Sequence, residues 1–245
     1  MALKNPYKRI IRPFKDGKYK FPEYVYHPEY AKIPTHYIRS YLIIQKDLIH
    51  LFEYIEPADC NLSTYSIRIN ELLVRACIEF EANCVAILSE NGYSKKGNWN
   101  ISDFKKVNAS HLLSDYLIKL PVWTGNKNII KPFEDWNSGD SLSWYQAYNK
   151  TKHQRYTNFD KAKFEHVINA VCALNIIISA QFYNIEFTDF DHVVLMGGNY
   201  DEFNTSTGSY FRIGYPENWP EEDRYDFDWN AIEMQTNNIK NYDYN

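Results

Sequence analysis

Val167-Ile168-Asn169-Ala170-Val171-Cys172-Ala173-Leu174-Asn175-Ile176-Ile177-Ile178-Ser179-Ala180-Gln181-Phe182 is the stretch that decides the fold class. Val167, Ile168, Val171, Cys172, Leu174, Ile177 and Ile178 make it apolar on most sides of a helix, which is the pattern of a central core helix. Asn169, Asn175 and Gln181 interrupt it, and charged residues precede it closely. It is too short and too polar for a transmembrane span, so no membrane association is expected. The predicted helix covers residues 160–183, with Asp160 near its start favouring the helix dipole.

A core helix needs partners, and the sequence upstream supplies three. Tyr37, Tyr41, Ile44, Leu48, Leu51 and Ile55 recur at helical spacing and predict a helix over residues 35–55, capped by Thr35 and stopped by Pro57. Tyr65, Ile69, Leu72, Ala76, Phe80, Cys84 and Ile87 predict a second over residues 63–90, ended by Asn91-Gly92. Arg68, Glu71, Arg75 and Glu79 form a polar stripe on another face, at spacings that allow ion pairing. The third main helix is predicted over residues 141–156. A shorter helix is expected at 102–113, extended chain or a small hairpin at 116–133, and a loop at 135–140. The fold class is therefore mainly α, a helical bundle, with residues 36–184 as its body.

Two extensions flank that body. Residues 1–35 are punctuated by Pro6, Pro13, Pro22 and Pro28, which leave no room for a long helix and predict an extended aromatic arm. Residues 185–245 read as an irregular, partly extended tail packed on the bundle, with strand-like pieces at 192–196 and 210–213 and a frayed polar end from 237. The net charge of −4 hides an asymmetry between them. Residues 1–20 carry Lys4, Lys8, Arg9, Arg12, Lys15, Lys18 and Lys20 against Asp16, whereas residues 185–245 carry thirteen acids against Arg212, Arg224 and Lys240. A basic arm suits nucleic acid. It suits the acidic tail of its own chain or of a partner equally, and that reading is slightly preferred because opposite charges in one molecule satisfy each other.

The cysteines, Cys60, Cys77, Cys84 and Cys172, include no C-x-x-C pair. Cys77 and Cys84 sit two helical turns apart, with backbones roughly 10 Å apart, too far for a disulfide. They read as small core residues. No apolar stretch of signal-peptide type occurs in residues 1–20, so the expected location is cytoplasmic. Tyrosine outnumbers glycine, 21 to 9, which suits half-buried boundaries and interfaces. With aromatics enriched at subunit contacts, a homodimer is expected.

The chemistry is expected in Trp144-Tyr145-Gln146-Ala147-Tyr148-Asn149-Lys150-Thr151-Lys152-His153-Gln154-Arg155. On a helix Asn149 and His153 share a face one turn apart. Lys150, Lys152 and Arg155 place positive charge beside them, suited to holding phosphate. His153 is the candidate proton-transfer group, since imidazoles titrate near neutral pH. The bland alternative is that Asn149 and His153 satisfy buried polar groups between helices while the cations are solvated.

This segment resembles the motif of the HEPN superfamily, which consists of small all-helical domains, many of them RNA-cutting toxins or defence effectors. The motif reads Arg, a polar residue often Asn, three variable residues, then His. Asn149 and His153 match the last two positions, and Tyr148 stands where the Arg belongs. The resemblance extends over residues 36–184: Arg75-Ala76-Cys77-Ile78-Glu79-Phe80-Glu81 on a long helix, then Asp135-Trp136, the motif segment, and the apolar helix. It implies His153 and Asn149 as catalytic residues, Lys150, Lys152, Arg155 and Tyr148 as substrate-binding residues, and Arg75 and Glu79 as support. It implies a metal-independent ribonuclease or RNA-acting effector of a bacterial defence or toxin–antitoxin system. The alternative is a non-catalytic binding module for RNA, a nucleotide or a protein. It further implies pairing of two motif helices in a dimer, RNA and an antitoxin or other protein as partners, and no cofactor. His111 and Asp115 have metal-like spacing without a second pair, and no metal is expected.

Overall fold

The computed structural model describes residues 2–187 and 202–245. In chain order the elements are α1 (Pro34–Phe52), α2 (Ile67–Glu90), α3 (Ile101–Phe104), α4 (Lys106–His111), β1 (Leu117–Lys119), β2 (Ile129–Ile130), α5 (Asp135–Ser138), α6 (Ser143–His153), α7 (Arg155–Asn158), α8 (Phe164–Phe182), β3 (Asn204–Thr205), β4 (Arg212–Gly214) and α9 (Trp229–Ile232). The protein is mainly α, with one small antiparallel sheet in the order β2-β1-β4-β3.

Helix α8 is the axis. Its residues from Ala170 to Phe182 are buried without interruption, and α2, α1 and α6 pack around it. By length and composition α8 would pass for a membrane span, yet most of it is buried inside the protein, the environment of a core helix. Helix α2 starts where Ser66 accepts the Ile69 amide at 3.2 Å, a cap worth about 1 kcal/mol. It stops at Asn91, followed by Gly92 at φ +89°. Phe80 meets Trp144 edge-on at 5.3 Å and Phe133 at 5.7 Å, so aromatic packing fixes α6 against α2.

Several local expectations change. Helix α1 is not capped by Thr35; Pro34 occupies its first turn, and Ile33 precedes it at φ +49° with no side-chain cap. The predicted 102–113 helix begins at Ile101, where Asn100 and Asp103 form a capping box, divides at Lys105 into α3 and α4, and ends at His111 before Leu112 at φ +50°. The predicted 135–140 loop contains the turn of helix α5, closed by Gly139 at φ +86°. The predicted 141–156 helix breaks at Gln154, whose φ of −139° interrupts α6 before α7. Asp160 belongs to a separate 3-10 turn, so it does not sit at the start of α8. The hairpin exists as β1 and β2, and β1 also pairs with β4 from the tail. The strand-like piece at 192–196 lies outside the described residues.

The arm and tail are woven into the bundle. Ile11, Tyr24, Tyr30, Ile213 and Tyr225 belong to the same buried cluster as α8. Leu3 and Phe14 bridge to Tyr225, and Tyr7 bridges to Lys240. Lys4 pairs with Asp226 at 2.6 Å and Arg12 with Asp223 at 2.9 Å, so the basic arm does lie on the acidic tail of its own chain. The end of the chain is not frayed: Asn238, Ile239 and Tyr244 are buried. Many tyrosines also exceed the half-buried role expected of them, since Tyr24, Tyr30, Tyr41, Tyr116, Tyr148 and Tyr225 are fully buried. Cys77, Cys84 and Cys172 are core residues, whereas Cys60 is exposed.

Candidate functional site

Helical geometry gives α2 two flanks. Positions 68, 72, 75 and 79 share one, and positions 70, 74, 77 and 81 share the other. The first flank faces α1: Arg75 pairs with Asp47 at 2.5 Å. Half-burial raises the affinity of the Glu79 carboxyl for its proton, and a hydrogen bond from Ser40 of α1 opposes it. The second flank faces α6, where the Tyr145 hydroxyl donates to Glu81 Oε1 at 2.8 Å. Arg75 and Glu79 therefore serve the α1–α2 seam, and Glu81, rather than Glu79, is the acid that meets the motif helix.

A groove of about 1310 Å³ runs over the outer face of α2 near its start. Asp47, His50, Leu51 and Tyr54 wall it on the α1 side, and Thr151, Lys152 and Arg155 on the other. Arg68, Asn70, Leu72, Val74 and Arg75 come from α2 itself. Its charged groups are Arg68, Arg75, Lys152 and Arg155 against Asp47 and Glu71, with His50 besides. Arg75 is neutralised by Asp47 and Arg68 by Glu71, at 3.0 Å. Lys152 and Arg155 have no carboxylate at ion-pair distance among the described residues. The positive excess therefore gathers on the α6–α7 wall.

The break at Gln154 divides the predicted site residues. Lys152 and Arg155 line the groove; Asn149, Lys150 and His153 are not among its lining residues. His153 and Lys150 are exposed and Asn149 is partly exposed. None of the three makes a side-chain hydrogen bond among the described residues. The bland expectation that Asn149 and His153 satisfy buried groups between helices is thus overturned for both. Tyr148 differs again: its side chain is fully buried, and it accepts a hydrogen bond from Lys152 Nζ at 2.9 Å. Burial pushes the Tyr148 hydroxyl above its ordinary pKa, opposed by that bond, and the same bond raises Lys152. Tyr148 holds Lys152 in place and offers no atom to a ligand. Arg155 lies over the Phe159 ring at 5.6 Å, which steers it without neutralising it.

His111 has no free nitrogen for a metal: Nε2 is 2.8 Å from the Arg9 carbonyl and Nδ1 is 2.7 Å from Ser110 Oγ. Two groove residues escaped sequence reasoning. Tyr54 was placed on no stripe, yet it is 76% exposed in the groove wall. Asn70 was hidden inside a helical run, with nothing in the pattern to distinguish it. The chain matches no family model, no curated protein and no solved structure.

Proposed function

We propose that this protein is a HEPN-like RNA-binding module that holds single-stranded RNA in the groove over α2. The observation that carries the reading is the convergence of Lys152 and Arg155, neither in an ion pair among the described residues, on a groove that also holds Arg68 and Arg75. Exposed cations that are not tied into an ion pair are available to phosphates, and the backbone supplies most of the affinity of such complexes. Exposed Tyr54 adds a surface on which a base can stack. The break at Gln154 helps by turning Arg155 onto the groove wall beside Lys152.

The binding reading is preferred to cleavage for a physical reason. Tyr148 occupies the place of the motif Arg, and its buried hydroxyl cannot stabilise charge developing on a phosphate. Among the described residues His153 has no side-chain partner to orient it as a base. A metal-independent ribonuclease is kept as a second reading on one observation: His153 is exposed on the helix that supplies Lys152. A defence or toxin–antitoxin setting belongs with that second reading, as does a dimer that brings two motif helices together.

The test is fluorescence anisotropy with labelled single-stranded RNA over a salt series. The double variant Lys152→Gln/Arg155→Gln is expected to weaken binding at least tenfold. It should flatten the log–log salt slope by roughly 1.4, for two lost contacts on a single strand. Unchanged affinity and slope would remove the groove from RNA binding.

A further inference from the structure

Asn70 stands apart from the other buried amides of α2. Asn83 Nδ2 donates to the Glu79 carbonyl at 2.8 Å, and Asn91 Nδ2 donates to the carbonyls of Ile87 and Lys8 at 2.8 and 3.1 Å. Asn70 is 6% exposed, and its Oδ1 is buried with no hydrogen-bond partner. Its Nδ2 also makes no hydrogen bond among the described residues, but unlike Oδ1 it is not shut away from solvent. A carbonyl oxygen left unsatisfied in this way costs about 1–3 kcal/mol, and a hydrophobic residue of similar size would avoid that cost. Asn70 shares the α2 flank turned to α6, and it lines the groove together with Thr151, Lys152 and Arg155.

We infer that Asn70 makes this groove selective for RNA over DNA, by accepting the 2′-hydroxyl of a ribose whose adjacent phosphates rest on Lys152 and Arg155. The inference rests on the RNA-binding reading above. Its logic is one of hydrogen-bond supply. Oδ1 lacks a donor, and phosphate diesters contain only acceptors, so phosphates alone leave it unsatisfied. In a strand held by its phosphates, the sugar edge between them carries a donor only when the sugar is ribose. The 2′-hydroxyl is both donor and acceptor, and it is the group that distinguishes RNA from DNA at a given site. The last torsion of an Asn side chain is soft, so the amide can turn Oδ1 outward as the strand seats and still present Nδ2 to the same hydroxyl. No base need be read, and the selectivity should not depend on sequence.

The experiment titrates the whole protein with one mixed sequence in three backbones: RNA, DNA and 2′-O-methyl RNA. The wild type is expected to bind RNA about tenfold more tightly than either of the others, because the methyl ether keeps the acceptor and loses the donor. Asn70→Ala is expected to lower RNA affinity to the DNA level and leave the other two unchanged. Its thermal unfolding should be close to or above that of the wild type, since no bond is removed and a buried unsatisfied oxygen goes with the side chain. The backbone comparison uses only wild-type protein, so the outcome stands even if the variant folds poorly. Equal wild-type affinity for RNA and DNA overturns the inference. So does 2′-O-methyl RNA that binds as RNA does, a folded Asn70→Ala protein that still discriminates, or a preference set by base identity. If Lys152→Gln/Arg155→Gln fails to weaken any of the three, the groove reading itself falls. If it weakens all three while the wild type does not discriminate, only the role of Asn70 falls.

Discussion

Arg9 and Arg12 of the arm carry the same charge as Lys152 at the end of α6 and Arg155 at the start of α7, in opposite surroundings. Arg9 is fully buried: it donates to Gln181 Oε1 at 2.7 Å, to Glu90 Oε1 at 2.8 Å and to the Lys32 carbonyl at 2.8 Å. Arg12 bonds Asp223 and lies over Trp219 at 4.7 Å. Lys152 and Arg155 are exposed, and neither forms an ion pair among the described residues, although Glu81 lies near enough to Lys152 to raise its pKa. Residue type alone therefore says little about function. A cation that has been desolvated and paired is part of the framework, and a cation left beside a groove without a partner has binding capacity to spare.

That contrast breaks most visibly under substitution. Arg9→Ala removes a buried guanidinium, leaving Gln181 Oε1 without its donor and Glu90 with the Lys32 amide but no cation. The expected loss is about 3–5 kcal/mol in denaturant unfolding, the usual cost of breaking a buried charge pair from one side. Lys152→Gln/Arg155→Gln is expected to cost no more than about 1.5 kcal/mol in the same assay, the order of the one hydrogen bond lost to Tyr148. Comparable losses in both proteins would erase the distinction between framework and binding cations.

Acid should attack the same framework. Burial pushes His111 down to about 4, aided by the charge of Arg12 and opposed by the hydrogen bonds to the Arg9 and Val107 carbonyls. With Nε2–H donating to Arg9, Nδ1 accepts from Ser110 Oγ, which also meets the Tyr244 hydroxyl at 2.6 Å. The ring thus ties the arm, α4 and the tail together in its neutral form. Its folded pKa lies below the unfolded value, so its contribution is fully present above about pH 6.5 and declines as pH falls toward 4. A loss of up to about 3 kcal/mol is expected across that window. His111→Gln retains a donor for the Arg9 carbonyl and does not titrate. Its unfolding free energy should be flatter over pH 4 to about 6.5 than that of the wild type. Parallel pH profiles for the two proteins would show that His111 is not the acid-sensitive tie.

How far the sequence could be read follows the same division. The apolar period of residues 167–182 marked the core helix, and the stripes of α1 and α2 marked its partners, because burial imposes a spacing that local sequence displays. The charge asymmetry between arm and tail pointed to their association, since opposite charges seek each other across any number of residues. The break at Gln154 carried no Gly or Pro to announce it. Nothing local therefore showed that Arg155 turns toward the groove while His153 does not. Tyr148 looked like a surface member of a polar motif, and only packing against α2 reveals it as buried. Asn70 was the least legible, because an unsatisfied amide is a property of the partners a side chain lacks, and a sequence shows only the side chain.

The smallest effect is expected at the residue the motif makes most prominent. His153 is exposed, makes no side-chain hydrogen bond among the described residues and is absent from the groove lining. His153→Ala should leave stability within about 0.5 kcal/mol, as for surface substitutions away from special features. RNA affinity should change by less than about twofold, because the phosphate contacts assigned to Lys152 and Arg155 remain. Cleavage is the sharper readout, measured with a chelator present and with both proteins at equal thermal stability. Under the binding reading neither protein cuts RNA, although both hold it. Under the ribonuclease reading the wild type cuts, and His153→Ala loses a hundredfold or more, the order expected for a missing general acid or base. Cleavage that persists equally in both would clear His153 of any role in it. Loss of folding in His153→Ala would contradict the exposed position of the ring, and with it the division of α6 into a groove-facing wall and a free face.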